Sequence, residues 1–175
     1  MKSRPAFALV VIGLLVLASS SRADDASTSA SAQRFEALKK LAGDWVKVGE
    51  DGKPTDKLIS SIRVTSAGSA VEETLFPGSD HEMVTMYHLD GADLVLTHYC
   101  ALGNQPRMRA EPGQDVNRIV FKFIGGTNLK SSDAQHMDQV AFTIAGQNCF
   151  KSEWVSCKDG KPCHRASFDL VRKSK

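Results

Sequence analysis

Along most of this chain apolar and polar residues alternate with a period of two. In 118–124 the odd positions Ile119, Phe121 and Phe123 are apolar while Arg118 and Lys122 lie opposite. In 139–144 the apolar set is Val140, Phe142 and Ile144. Phe150, Ser152 and Trp154 alternate with Lys151, Glu153 and Val155, and Ala166, Phe168 and Leu170 with Arg165, Ser167 and Asp169. Successive side chains of a strand point to opposite faces, so each segment reads as a strand with one buried and one wetted face. Strands are predicted at 44–48, 58–65, 70–76, 81–89, 93–101, 106–111, 118–124, 139–145, 148–157 and 162–172. Between them lie Gly52-Lys53-Pro54, Ala67-Gly68-Ser69, Pro77-Gly78, Asp90-Gly91, Pro112-Gly113, Gly146-Gln147 and Asp159-Gly160, residues that set turn dihedrals. Only near the N-terminus does the period change. There Phe35, Leu38 and Leu41 recur at helical spacing before Gly43, which predicts a short amphipathic helix over 33–42. Consecutive short strands without intervening helices form a meander, and closure removes its exposed edges. The expected fold is all-β: a single antiparallel meander β-barrel of about ten strands with a short N-terminal helix.

Alternation also sets registers. Placing Trp154 opposite Ala166, Ser152 opposite Phe168 and Phe150 opposite Leu170 puts the apolar residues on one inner face. The same register sets Cys157 opposite Cys163 on the outer face, across the loop "KDGKP", and predicts a hairpin disulfide. Closing so short a loop contributes on the order of 2 kcal/mol in the chain-entropy model. The rival reading of "CKDGKPC" with His164 is a thiolate metal or redox site, although its spacing matches neither a redox pair nor a zinc knuckle. Cys100 and Cys149 fall on opposite predicted faces, which argues against their pairing.

The segment "HEMVTMYHLDGADLVLTHYCALGNQPRM", residues 81–108, concentrates three of the chain's five histidines, both tyrosines and one of its four cysteines. An even-length turn at Asp90-Gly91 divides them by parity. Met83, Thr85, Tyr87 and Leu89 then share the inner face with Leu94, Leu96, His98 and Cys100, while Val84, Met86, His88, Val95, Thr97 and Tyr99 face out. His98 and Cys100 look inward near one end of the barrel, with Asn104, Gln105 and Arg107 in or beside its rim. A histidine, a thiol, amides and a guanidinium around an opening suit the polar group of a mostly apolar ligand. The expected ligand-binding wall comprises Tyr87, Leu94, Leu96, His98, Arg107, Phe121, Phe123, Phe142, Phe150 and Trp154. The alternatives are that His98 is a satisfied core histidine, Cys100 a small buried hydrophobe and Arg107 a solvated strand residue.

The irregular stretch 125–138 carries "SSDAQHMD", whose Asp133, His136 and Asp138 match no well-defined metal motif. A loop covering the mouth is the expected role, and no metal site is assigned. There is no G-x-S-x-G elbow, H-E-x-x-H pair or phosphate-binding glycine loop, so no catalytic residue is named and enzymatic activity is not the expectation.

Lys2 and Arg4, the apolar run 6–18 and the small residues of Ser21-Arg22-Ala23 have the pattern of a secretory signal over 1–23. The run is about 13 residues, short of the roughly 20 that span a bilayer, so a cleaved signal rather than an anchor is expected. Without Lys2, Arg4 and Arg22, 19 of the 22 basic residues remain against 20 acidic ones, a formal charge of −1 instead of +2. The electrostatic case for nucleic acid then disappears. The small polar segment 24–32 reads as a disordered leader and 33–175 as one barrel domain. The expected location is secreted or periplasmic, where disulfides form.

Gly43-Asp44-Trp45, following a short helix, and a late basic residue, Arg172 or Arg165, resemble the calycin group of lipocalin-like and fatty-acid-binding-like barrels. The resemblance implies that the tryptophan and the basic side chain pack together across the barrel's closed end. The strand count resembles the fatty-acid-binding-like branch. "LAGDW", "YHLDGADLVLTHYCALGNQPRM", "FKFIGGTNL", "HMDQVAFTI" and "EWVSCKDGKP" are similar to a family of exported bacterial proteins with such a barrel, a likeness that implies a fold and no particular activity. His164 also resembles in position the haem-ligating histidine of nitrobindin-like barrels, but "GDWVKVGEDG" lacks that branch's glycine alternation. The leading expectation is an exported barrel that binds a small apolar molecule and has no cofactor. The alternatives are a haem-binding or enzymatic barrel using His164 or His98, and a structural barrel with a packed interior.

Overall fold

A computed structural model of the protein describes residues 21–174, with side chains described from Ala30. Residues 1–20, which carry the basic and apolar parts of the expected signal, lie outside the described residues. The helix α1 (Ser21–Lys39) is followed by β1 (Gly43–Val48), β2 (Pro54–Thr65), β3 (Ala70–Leu75), β4 (Met83–Asp90), β5 (Asp93–Tyr99), β6 (Gln105–Ala110), β7 (Arg118–Thr127), β8 (His136–Ile144), β9 (Cys149–Lys158) and β10 (Lys161–Arg172). The helix starts well before the expected 33 and takes in the polar stretch 24–32. It stops before 42 because Leu41 and Ala42 bond back to Leu38 and Lys39, a tightened last turn.

The ten strands form one closed antiparallel meander in which β1 pairs with both β2 and β10. In such a meander the connections alternate between two ends. The helix, the β4–β5 turn and the β8–β9 turn lie at one end, and the loops 76–82, 100–104, 128–135 and 159–160 at the other. The first end is closed. Phe35, Leu38 and Leu41 of the helix and its extension join the barrel core of Trp45, Ile59, Tyr87, Leu94, Phe121, Phe142 and Phe150.

The closed end has the tryptophan–arginine pair that the resemblance implied, with Arg172 rather than Arg165 supplying the cation. The Arg172 guanidinium lies 4.4 Å from the Trp45 ring centroid. It donates to the Ala42 carbonyl at 2.6 Å, to Lys40 at 3.1 Å and to Gln147 at 2.9 Å, while Trp45 Nε1 donates to the Leu41 carbonyl at 2.7 Å. Gly43, at φ 138°, leaves room for that guanidinium, because a Cβ there would collide with Arg172 Nη1.

Trp154 pairs with Ala166, Ser152 with Phe168 and Phe150 with Leu170, as the hydrophobic pattern requires. The disulfide does not follow from it. Asp159 and Gly160, at φ 53° and 68°, form a two-residue turn, which pairs Lys158 with Lys161 and Cys157 with Pro162. That register is one residue out of step with the core, and a bulge at Cys163 absorbs the difference before Ser156 pairs with His164. Cys163 is the extra residue, its Sγ 3.2 Å from Ser156 Oγ, and all four cysteines are free. Thiol titration of denatured, unreduced protein should therefore return four thiols per chain. Two would indicate that a bridge forms across the bulge.

Candidate functional site

Strands β3, β4 and β5 lie side by side, and the sequence sets Glu73, Thr85 and His98 in one row across them. The β4–β5 turn has two residues, so inner positions pair as the parity argument required. Tyr87, His98 and Cys100 are buried, whereas Tyr99 is 50% exposed. The inward assignment of Leu89 is corrected. It is 37% exposed, although its cross-strand partner Leu94 is buried.

The inner row is polar and hydrogen-bonded. The Tyr87 hydroxyl donates to Glu73 Oε2 at 2.6 Å, and the Ser60 hydroxyl donates to Oε1 at 2.7 Å. Thr85 Oγ1 lies 2.8 Å from His98 Nδ1. Burial pushes the Glu73 carboxyl above its ordinary value, against the pull of its hydrogen bonds from Tyr87 and Ser60. Burial, then the Glu73 charge, raises the Tyr87 phenol, and burial lowers His98 to about 4. His98 is thus neutral at ordinary pH.

Glu73 was not singled out from the sequence. Its signal was present: in 70–76 the inner set reads Val71, Glu73, Leu75, a carboxylate at a core position. A proton held to higher pH in the folded chain than in the unfolded chain makes stability fall as pH rises above the ordinary value of 4.5. Glu73→Gln removes that dependence. Between roughly pH 4 and pH 8 its unfolding free energy should gain on the wild type by at least about 1 kcal/mol, the scale of a buried polar group poorly compensated. Denaturant unfolding at several pH values measures this, and a difference that stays flat would count against it.

Above that row, at the open end, lies a cavity of about 290 Å³ lined by Leu75, Phe76, Met83, His98, Met137, Trp154, His164, Ala166 and Phe168. His98 and Trp154 stand side by side at its inner limit, ring centroids 4.7 Å apart. Both carry a buried polar atom without a partner, His98 Nε2 and Trp154 Nε1. Phe76 and Phe168 meet edge to face at 5.6 Å. His164 is exposed on the rim.

The expected wall is only partly this one. His98 and Trp154 line the cavity, but Leu94, Leu96, Tyr87, Phe121, Phe142 and Phe150 belong to the packed half beneath it. The space left beside Tyr87 and Phe142 is about 10 Å³, at most one water. Phe123 stacks on His136 at 4.2 Å, outside the lining. Arg107 is not at the rim. It pairs with Thr97 on the outer face and forms an ion pair with Asp90 at 2.6 Å. Nor do Asn104 and Gln105 face a ligand. Asn104 Nδ2 donates to the Gln135 carbonyl, and Gln105 Oε1 accepts from Thr127 and Asn128, so both tether the loop 128–135. Among the described residues, Asp133, His136 and Asp138 do not converge, and no group of three or more His, Cys, Asp or Glu is placed to hold a metal ion.

The fold is a closed ten-stranded antiparallel meander barrel, consistent with a calycin-like fold, with a helix packed at one end and a cavity at the other. No family model and no curated protein matches the chain.

Proposed function

We propose that the protein is an exported binding barrel that holds a small, mainly apolar molecule in the cavity at its open end. The observation that carries this reading is the cavity at the open end, whose lining is apolar apart from His98, Trp154 and His164. A ligand site is expected to be concave and mostly apolar with a few convergent polar groups, and about 290 Å³ lies at the small end of its usual size. Export is supported by the basic and apolar pattern of residues 2–23. Among the described residues no helix is long and apolar enough to cross a membrane. The residues fit a haem poorly. The cavity is small for a macrocycle, and His164, the residue that the nitrobindin resemblance implies as ligand, is exposed beside the Cys163 bulge.

The test is displacement of an apolar fluorescent probe, with native mass spectrometry of the purified protein to detect a retained small molecule. Ala166 lines the cavity, and Ala166→Leu fills it without touching the packed half. Probe affinity should fall by about tenfold or more, while thermal stability stays level or rises, as expected where added methylenes occupy empty space. Unchanged affinity in the filled variant would overturn the assignment, and a Soret band would favour the haem reading.

A further inference from the structure

Arg34 occupies a core-facing place on the helix. With Ala30, Leu38 and Leu41 it forms one stripe at helical spacing, and all four are buried, Arg34 to 5% exposure. Its guanidinium reaches the β6–β7 connection (111–117), where Nη1 donates to the Glu111 carbonyl at 2.6 Å. Nη2 packs against Gly113 so closely that a Cβ there would collide with it. Of the other two nitrogens, Nε is enclosed without a partner, whereas Nη2, also without a hydrogen bond, keeps open surface. Arginine does not give up its proton in a protein, so burial leaves a cation that requires an opposite charge.

Among the described residues none supplies it. No carboxylate lies within ion-pair distance of Arg34, and the two beside it are taken: Asp93 pairs with Arg109 at 3.1 Å and Glu111 with Lys122 at 2.7 Å. Asp115 is exposed, accepts from the Asn117 amide at 2.8 Å and influences Arg34 only from farther away. What Arg34 does line is a cavity of about 330 Å³ between the helix, the β4–β5 turn and the β6–β7 connection. Ala30, Ala92, Ala110 and Pro112 give that cavity apolar walls. Arg34, Arg109 and Lys122 against Asp93 and Glu111, three cations to two anions, leave one positive charge there. A monoanion balances it, whereas a dianion would also meet repulsion from Asp93 and Glu111. The planar guanidinium matches a carboxylate, and the small apolar walls suit a short hydrocarbon body.

We propose that this cavity at the closed end is a second binding site, separate from the one at the open end, for a small apolar monocarboxylate whose oxygens accept from Arg34 Nη2. The guanidinium supplies the charge, and Gly113 leaves the room in which it is presented.

The experiment is an NMR titration of the intact barrel with butyrate, n-butanol and inorganic phosphate at neutral pH and low salt, read at the backbone amides of Ala30, Ala110 and Gly113. Butyrate should shift these amides and bind at least about tenfold more tightly than butanol or phosphate. Arg34→Gln retains a donor for the Glu111 carbonyl but not the charge, and should cost butyrate about tenfold or more while leaving the weak butanol affinity level. Gly113→Ala keeps the charge but displaces Nη2, and should weaken butyrate as well. Asp115→Asn should leave butyrate affinity level or raise it, since it removes a competing carboxylate. Equal affinity for butyrate and butanol, no shift at these amides, or undiminished butyrate binding in Arg34→Gln overturns the site, and tighter binding of phosphate overturns the monocarboxylate class. The carrier reading of the open end stands or falls separately, on the apolar probe and Ala166→Leu.

Discussion

Trp45→Ala should lower the unfolding free energy by about 3–5 kcal/mol, the usual range for truncating a fully buried aromatic. At this chain length that corresponds to a fall in melting temperature of roughly 10 °C or more. The side chain is wholly buried and packs edge to face on Phe150 at 4.6 Å, so its removal opens a cavity where the helix meets the barrel. It also anchors Leu41 through its indole N–H and supports the Arg172 guanidinium. Arg172 in turn satisfies carbonyls of Lys40, Ala42 and Gln147, which come from two separate connections. Because the two side chains share one contact, their losses should not add. A double-mutant cycle of Trp45→Ala with Arg172→Ala should show a coupling of about 0.5 kcal/mol or more. Gly43→Ala should act on the same unit, by pushing a methyl group into the guanidinium at a φ that alanine disfavours. Denaturant unfolding measures all three. A loss below about 1 kcal/mol for Trp45→Ala would mean that the closed end is not held by this pair.

Strand positions and faces were legible because period-two patterning is strong in a barrel with one dry face. Each of the ten predicted strands corresponds to an observed one, with ends moved by a few residues. The β9–β10 core register was legible for the same reason, since Phe150, Ser152 and Trp154 have one inward partner set. The disulfide failed where two local rules conflict. Asp159-Gly160 demands a two-residue turn and the core demands a register one residue away, and a bulge satisfies both by displacing Cys163. No single rule forecasts which residue is displaced. The pocket wall was over-assigned for a different reason. Alternation states whether a side chain points inward, but not how far along the barrel axis it sits. Phe121, Phe142 and Trp154 have the same inward signature, yet the first two fill the plugged half and only the third reaches the cavity. Glu73 and Ser60 lie thirteen residues apart in sequence. Their contact becomes visible only when β2, β3 and β4 are paired, although a carboxylate between Val71 and Leu75 was itself a warning.

The second large effect is acid sensitivity set by His98. Its side chain is buried without a charge partner, and desolvation lowers its pKa from 6.5 to about 4. In the unfolded chain the imidazole takes up a proton below about pH 6.5, whereas the folded chain refuses it until about pH 4. The unfolded state then binds more protons, so stability falls as pH falls through this window, and the full contribution is present only above it. A lowering of this size corresponds to on the order of 3 kcal/mol at the low end of the window. His98→Gln, which has no titrating group, should lose the slope: its unfolding free energy relative to the wild type should rise between pH 6.5 and about 4 and stay level above. Glu73 works in the opposite sense, penalising the folded state as pH rises. Above about pH 4.5 the two slopes oppose each other and partly cancel in the wild type, so each shows most clearly as the difference between the wild type and the variant that lacks the group. Denaturant unfolding at several pH values between about 4 and 6.5 measures the slope, and a flat difference between wild type and His98→Gln would show that His98 does not carry it.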